Sequence, residues 1–184
     1  ITPADHAAVD LILGEQKTTP KPGRDGGSQF PAFSNELKSK LAEYTNLGGR
    51  LMVTGAYIGS DLIETVRTSA DSQFVEEVLR FKFRTNYAVK KGDVYFLQTG
   101  FSSDSLTFDF ETERNPLQYA VEAPDAIEPA DSTVMRIARY AVNNTSAGVA
   151  FDGQHRIVAF GFPFEAIRSP DSRAILMRRI LEFL

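Results

Sequence analysis

The sequence predicts an α/β fold in three layers, a mainly parallel sheet with antiparallel strands added to it. Three observations predict this. Residues 50–62, RLMVTGAYIGSDL, read as a short apolar strand, a glycine-flanked tight turn and the start of a helix. Residues 9–13 and 156–160 are two more apolar runs of strand length, the pattern of parallel strands covered on both faces. Around them lie stretches whose apolar residues recur at helical spacing.

Taken in order, Val9-Asp10-Leu11-Ile12-Leu13 forms the first strand and Gly14 ends it. A buried strand so near the first residue predicts that the chain is a piece of a longer polypeptide. Residues 14–32 carry Gly14, Pro20, Pro22, Gly23, Gly26, Gly27 and Pro31, a loop by composition. Phe33, Leu37, Leu41, Tyr44 and Leu47 then predict a helix with Ser34 as N-cap, stopped by Gly48-Gly49. After the strand at 50–54 and its turn, Phe74, Val75, Val78 and Leu79 predict a helix over 72–81 capped by Asp71.

The pattern changes at Phe81. Phe83, Thr85 and Tyr87 alternate with polar neighbours, residues 90–93 read as a turn, and 94–97, 106–110 and 118–121 are strand candidates. Residues 82–122 are therefore expected to form a strand-rich insertion or an extension of the sheet edge. Strands at 134–140 and 148–151 follow, then a hairpin turn at Asp152-Gly153 and the strand at 156–160. Ser169-Pro170 opens a closing helix with Ile175, Leu176, Ile180, Leu181 and Leu184 on its apolar face. The whole chain, 1–184, is read as one domain.

Composition narrows the function. A chain of 184 residues with a net charge of −4 does not offer the basic surface that nucleic acid requires. No apolar run reaches the roughly 20 residues that span a bilayer. With no cysteine, disulfides, thiolate metal sites and thiol catalysis are excluded. His6 and His155 stand far apart and not in metal-ligand spacing, so neither a metal nor a cofactor is expected, and His155, in the turn after Gly153, is expected to be exposed. Asp125, Glu128 and Asp131 make an acidic segment that could hold calcium, but Pro124 and Pro129 favour a plain exposed loop.

Ligands of open α/β sheets collect beyond the carboxyl ends of the strands. Three segments should meet there: Gly14-Glu15-Gln16, residues 54–61, and Gly161-Phe162-Pro163-Phe164-Glu165. The candidate rim is accordingly Glu15, Gln16, Gly55, Ala56, Tyr57, Ser60, Asp61 and Glu165. Each has a plainer reading. Tyr57 can be a packed aromatic, Glu15 and Gln16 loop anchors, Ser60 and Asp61 helix caps, and Glu165 the holder of a turn.

Leu13-Gly14-Glu15-Gln16, residues 48–62, Ala147-Gly148-Val149-Ala150-Phe151 and residues 158–165, with the closing helix at Leu176-Met177, resemble the class I glutamine amidotransferase-like domains of secreted bacterial proteins of the xanthan lyase-like type. The resemblance implies a flavodoxin-like scaffold that lacks its N-terminal strand and helix, and an extracellular or periplasmic location. It does not imply glutaminase chemistry. The family's elbow cysteine is replaced by Tyr57 in Gly55-Ala56-Tyr57-Ile58-Gly59, and the later His-x-Glu pair is reduced to Glu165 in Phe162-Pro163-Phe164-Glu165. A phenol with an ordinary pKa near 10 does not replace a thiolate as an acyl carrier.

The expectation is therefore a non-catalytic accessory or binding domain, a pseudoenzyme whose partners are a polysaccharide or the neighbouring domains of its parent. The alternative is a polysaccharide-active enzyme of lyase type. It would use Tyr57, or Tyr140 with Arg139 or Asn143, to take a proton beside a sugar carboxylate. A hydrolase built on Thr54 or Ser60 ranks last, because no histidine stands in a motif that would serve as its base.

Overall fold

Parallel pairing is confined to one end of the sheet. The computed structural model describes residues 5–23, 27–64 and 68–184. Residues 1–4, 24–26 and 65–67, which include the very start of the chain and part of the first expected loop, lie outside the described residues. In chain order the elements are β1 (Val9–Gly14), β2 (Thr19–Pro20), β3 (Ser28–Gln29), α1 (Asn35–Asn46), β4 (Arg50–Gly55), α2 (Ser60–Ile63) and α3 (Ser69–Gln73). A π-helical turn, Phe74–Val78, continues α3. Then come β5 (Phe81–Thr85), β6 (Gly92–Phe96), β7 (Thr107–Phe110), β8 (Ala126–Pro129), β9 (Met135–Tyr140), β10 (Ser146–Asp152) and β11 (Arg156–Phe160). A 3-10 turn, Phe164–Ala166, precedes α4 (Pro170–Phe183).

Seven strands form the main sheet in the order β1-β4-β11-β10-β9-β6-β7. β4 pairs in parallel with β1 (Leu11 opposite Val53) and with β11 (Val158 opposite Met52). The other four pairings are antiparallel. The fold is thus mixed α/β, and the expectation of a mainly parallel sheet is corrected. The reason lies in the connections. β10 and β11 are joined by the short turn at Asp152-Gly153, and β9 reaches β10 through the turn at 141–145. A short turn can only reverse the chain, whereas a parallel neighbour needs a crossover. β5 and β8 form a separate antiparallel ribbon.

Alternation along the strands supplies two cores. Met52, Val158 and Phe160 face one side, with Leu176 and Ile180 of α4 and the Leu184 that follows it over them. Leu51, Val53, Ile157 and Ala159 face the other, against Phe33, Leu41, Phe74, Val75 and Leu79 from the α1–α3 region, with Phe81 and Ile127 of the ribbon. Side chains of successive strand residues point to opposite faces, so one apolar run can serve both layers.

The caps follow the sequence at two helices. Ser34 accepts from the Leu37 N–H, and Ser169 accepts from the Ser172 N–H just ahead of Pro170. The middle helix differs. It starts earlier than expected, at Ser69, and Thr68 rather than Asp71 caps it by accepting the Asp71 N–H. Asp71 is turned to Lys38, 2.5 Å away. Residues 118–121, expected as a strand, have no regular structure.

The end of β7 is tied to the segment before α4. Arg168 donates to both oxygens of the little-exposed Glu111, at 2.9 and 3.2 Å, and to Asp109 at 2.8 Å. Arg168 first, then the Glu113 N–H, hold the Glu111 carboxyl down from 4.5 to about 2. A carboxyl held below its unfolded value contributes stability that is present above the unfolded pKa and lost as pH falls through the folded one. Acid titration of stability should therefore show a loss between about pH 4.5 and about pH 2. In an Arg168→Met variant that loss should largely vanish. An unchanged acid limb in the variant would dismiss this clip as a source of acid sensitivity.

Candidate functional site

The carboxyl ends of β1, β4 and β11 lie side by side, because these are the three adjacent parallel strands. The chain leaves β1 through Gly14, whose φ of +55° is a left-handed conformation suited to glycine. A Cβ there would also stand 3.2 Å from Glu165 Oε1 and 3.4 Å from the Tyr119 hydroxyl. The Ala56 N–H donates to the Gly14 carbonyl at 2.8 Å, which locks the exits of β1 and β4 together.

Tyr57 sits in the turn after β4 with only 7% of its surface exposed. Its hydroxyl accepts from Lys17 Nζ at 3.0 Å, and the ammonium lies 4.3 Å from the ring centroid. Burial raises the phenol's pKa more than Lys17 lowers it, so Tyr57 stays protonated at neutral pH. The lysine, bonded to the phenol, is held above its ordinary value. Glu15 and Tyr87 also act electrostatically on this pair. Tyr87 is 66% exposed, on a backbone with φ +47°.

A second phenol lies alongside. Tyr119 donates to Glu165 Oε1 at 2.6 Å. Burial first, and then the bond to Glu165, push its pKa well up. Glu165 Oε2 is buried and has no partner among the described residues. Asp10, on β1, has its pKa raised by burial and then by the charge of Glu165. The rim thus brings Glu15, Lys17, Tyr57, Tyr119 and Glu165 together, with Asp10 and Tyr87 at its edges. It alternates protonated hydroxyl donors with carboxylate acceptors.

The remaining rim candidates have structural partners. Glu15 Oε1 accepts from the Glu122 N–H at 2.9 Å, and Gln16 Nε2 donates to the Pro31 carbonyl at 2.7 Å. Asp61, little exposed, accepts from Thr18 N at 2.7 Å, Thr18 Oγ1 at 3.0 Å and Ala32 N at 2.8 Å, which pins the first loop to α2. Gly55, Ala56 and Ser60 are buried. The N–H groups of Gly59 and Ser60 donate to Asp125 Oδ2 at 2.8 and 2.9 Å. Asp125 is fully buried, so the expected exposed acidic loop is corrected: residues 126–129 are strand β8, Glu128 pairs with Arg84 and Arg136, and Asp131 pairs with Arg80.

Two other expectations change. Tyr140 is buried, and its hydroxyl donates to the Asp125 carbonyl at 2.7 Å, so it cannot meet a polysaccharide with Arg139 or Asn143. His155, expected to be exposed, is half-buried against the Phe151 ring at 5.1 Å, and burial lowers its pKa. Lys17, Tyr119, Asp10 and Tyr87 were not among the sequence candidates. Of these only Lys17 carried a local signal, its place directly after Gln16.

No protein-family model and no curated protein matches this chain. Solved structures do. An exo-β-1,4-mannosidase from Opitutaceae bacterium strain TAV5 superposes with a TM-score of 0.51 at 8% identity, over 98% of this chain and 24% of its own. A GH42 β-galactosidase from G. stearothermophilus gives 0.49 at 13% identity, over 82% of this chain and 20% of its own. One from Bacillus circulans sp. alkalophilus gives 0.49 at 14%, over 80% and 20%. The chain therefore spans about a quarter or less of the structures it resembles.

These findings correct the resemblance to amidotransferase-like, xanthan lyase-like domains. The Arg50–Gly59 segment encodes a parallel strand and the turn that follows it, which many mixed sheets share. It does not encode one family. The helix after it is only four residues long, and the Tyr57 hydroxyl is held by an ammonium. The reading as a non-catalytic accessory module rested on that resemblance and falls with it.

Proposed function

We propose that this chain is a domain of a glycan-active enzyme and that it meets carbohydrate at the strand-end rim. The observation that carries the reading is the composition of that rim. Two phenol rings, Tyr87 at 66% and Tyr119 at 41% exposed, flank the Lys17–Tyr57 pair and the carboxylates of Glu15 and Glu165. A sugar presents apolar C–H faces and a ring of hydroxyls that both donate and accept. Exposed aromatic rings suit the first, and fixed donor–acceptor pairs suit the second. The mannosidase with the same fold, itself named for action on a β-1,4-mannoside, supports this choice of ligand class.

The tyrosines act as donors and stacking surfaces here and not as bases, since burial keeps Tyr57 and Tyr119 protonated. Glu165 fixes the Tyr119 hydroxyl, and its spare acceptor oxygen, without a partner among the described residues, is buried away from solvent.

Calorimetric titration with β-1,4-manno-oligosaccharides and β-galacto-oligosaccharides tests the proposal, with reducing-sugar release followed in parallel. Saturable binding is expected, weakened about tenfold or more in a Tyr87→Ala/Tyr119→Ala double variant, as for loss of a central aromatic contact. The reading is lost if neither sugar series binds, or if the double variant binds as the parent does.

A further inference from the structure

A cavity of about 460 Å³ opens between Thr18, Ser28 and Pro31 on one side, Asn35 and Lys38 of α1, Leu62 of α2, and Ala70 and Asp71 of α3. It does not belong to the rim. Tyr57 packs in the core cluster on the α4 side of the sheet, whereas Phe33 and Leu62, which line the cavity, pack in the cluster on the opposite side. Asp61 divides the two places, its carboxylate used up by Thr18 and Ala32.

The charges in the cavity wall are already matched. Lys38 Nζ lies 2.5 Å from Asp71 Oδ1, and Thr68 Oγ1 donates to Asp71 Oδ2 at 2.6 Å. An anion would have to compete with Asp71 for Lys38. A cation would find both wall carboxylates occupied. The groups left over are neutral: the Ser28 hydroxyl and the Asn35 amide line the cavity, and neither side chain makes a hydrogen bond to another described residue. Below them Pro31, Phe33 and Leu62 give an apolar floor. The volume falls in the range of about 300–1,000 Å³ usual for small-molecule sites.

We propose that this cavity is a second binding site and that it takes a neutral polyhydroxylated ring, a single sugar unit. The amide of Asn35 offers two donors and an acceptor, and the hydroxyl of Ser28 offers both. The apolar floor accepts a C–H face. The site rests on the glycan reading only for its choice of probe, because its own chemistry selects a neutral hydroxylated ligand.

The test is an amide-resolved NMR titration of the full chain with mannose, galactose and glucose, and separately with inorganic phosphate. Saturable shifts are expected for at least one sugar at the amides of Asn35, Lys38, Ala70 and Asp71. Asn35→Ala should weaken that binding about three- to tenfold, the loss of one or two neutral hydrogen bonds. Ala70→Trp, which fills the cavity from an exposed position, should abolish it while leaving the thermal midpoint close to that of the parent. Tyr119→Ala, at the rim, should leave it unchanged. The inference is overturned if no sugar gives saturable shifts at these amides, if Ala70→Trp still binds, or if phosphate binds and the sugars do not. Loss of oligosaccharide binding only in the rim variants, with these shifts intact, would concern the rim alone. Loss here with rim binding intact would remove only this site.

Discussion

Phe162→Ala should lower the stability of the fold by about 3–5 kcal/mol, the usual loss for a buried phenylalanine. Phe162 is 0% exposed and stacks on Phe110 with ring centroids 5.0 Å apart. Phe160, Phe108 and Tyr140 surround it at 5.3, 5.8 and 6.4 Å. These rings come from β7, β9, β11 and the residues just after β11, so their neighbours are held by different strands and cannot collapse together into the space left behind. For a chain of this length the loss corresponds to roughly 6–20 °C in thermal midpoint. Phe162→Leu, which keeps most of the volume, should cost well under half as much. Equal losses for the two variants would show that the site collapses freely.

Asp125→Ala is the second large effect. The Asp125 carboxylate is the acceptor for the buried N–H groups of Gly59 and Ser60, at 2.8 and 2.9 Å. Alanine leaves both unpaired, and each unpaired buried donor costs about 1–3 kcal/mol, so a total of about 2–6 kcal/mol is expected. Asp125→Asn keeps an oxygen for both donors and separates this role from charge. Burial pushes the Asp125 carboxyl up to about 7, against the pull of the Ser60 and Gly59 N–H groups. The folded chain therefore holds that proton more tightly than the unfolded chain does. The contribution of the group is full below its unfolded pKa of 3.8 and is lost as pH rises through about 7. The stability of the parent should decline relative to that of Asp125→Asn across this window. Urea melts at pH 4, 5.5 and 7.5 measure it, and parallel curves for parent and variant would contradict the assignment. Gly161 is part of the same arrangement, since a Cβ there would stand 2.0 Å from the Asp125 carbonyl oxygen.

Local signals recovered the elements whose reasons are local. Ser34 and Ser169 announce α1 and α4 because a cap is decided within three residues. Apolar residues at 51–53 and 157–160 announce β4 and β11 because both faces of those strands are covered. Sheet order was less legible. Val94 meets Tyr140, and nothing within either segment specifies that pairing. The antiparallel majority follows from such contacts. The cap at Thr68 was missed because Asp71 looks equally suitable, and only the position of Lys38 turns Asp71 elsewhere.

The site divides in the same way. That the segments after β1, β4 and β11 converge was readable from the parallel-strand rule. Which side chains would face one another was not. Lys17 reaches Tyr57 across 40 residues and Tyr119 reaches Glu165 across 46. Tyr119 lies in a segment without periodicity, so no pattern places it. Asp125 was the least legible of all. Between two short residues and a proline it looks like surface, and the two N–H groups that need it lie 65 and 66 residues away.

The division of the main sheet into parallel and antiparallel parts bears on how the chain acquires its structure. The β9–β10–β11 meander joins neighbours in sequence, so it closes small loops and can form early. The β4–β11 pairing unites Met52 with Val158, and the entropy of that long closure is recovered only when the meander already presents an edge to dock on. The order of assembly would then run from the carboxyl-terminal strands toward the amino-terminal ones. A ribosome releases them in the opposite order, so β1 and β4 wait without a partner strand on the β11 side until the last third of the chain has emerged.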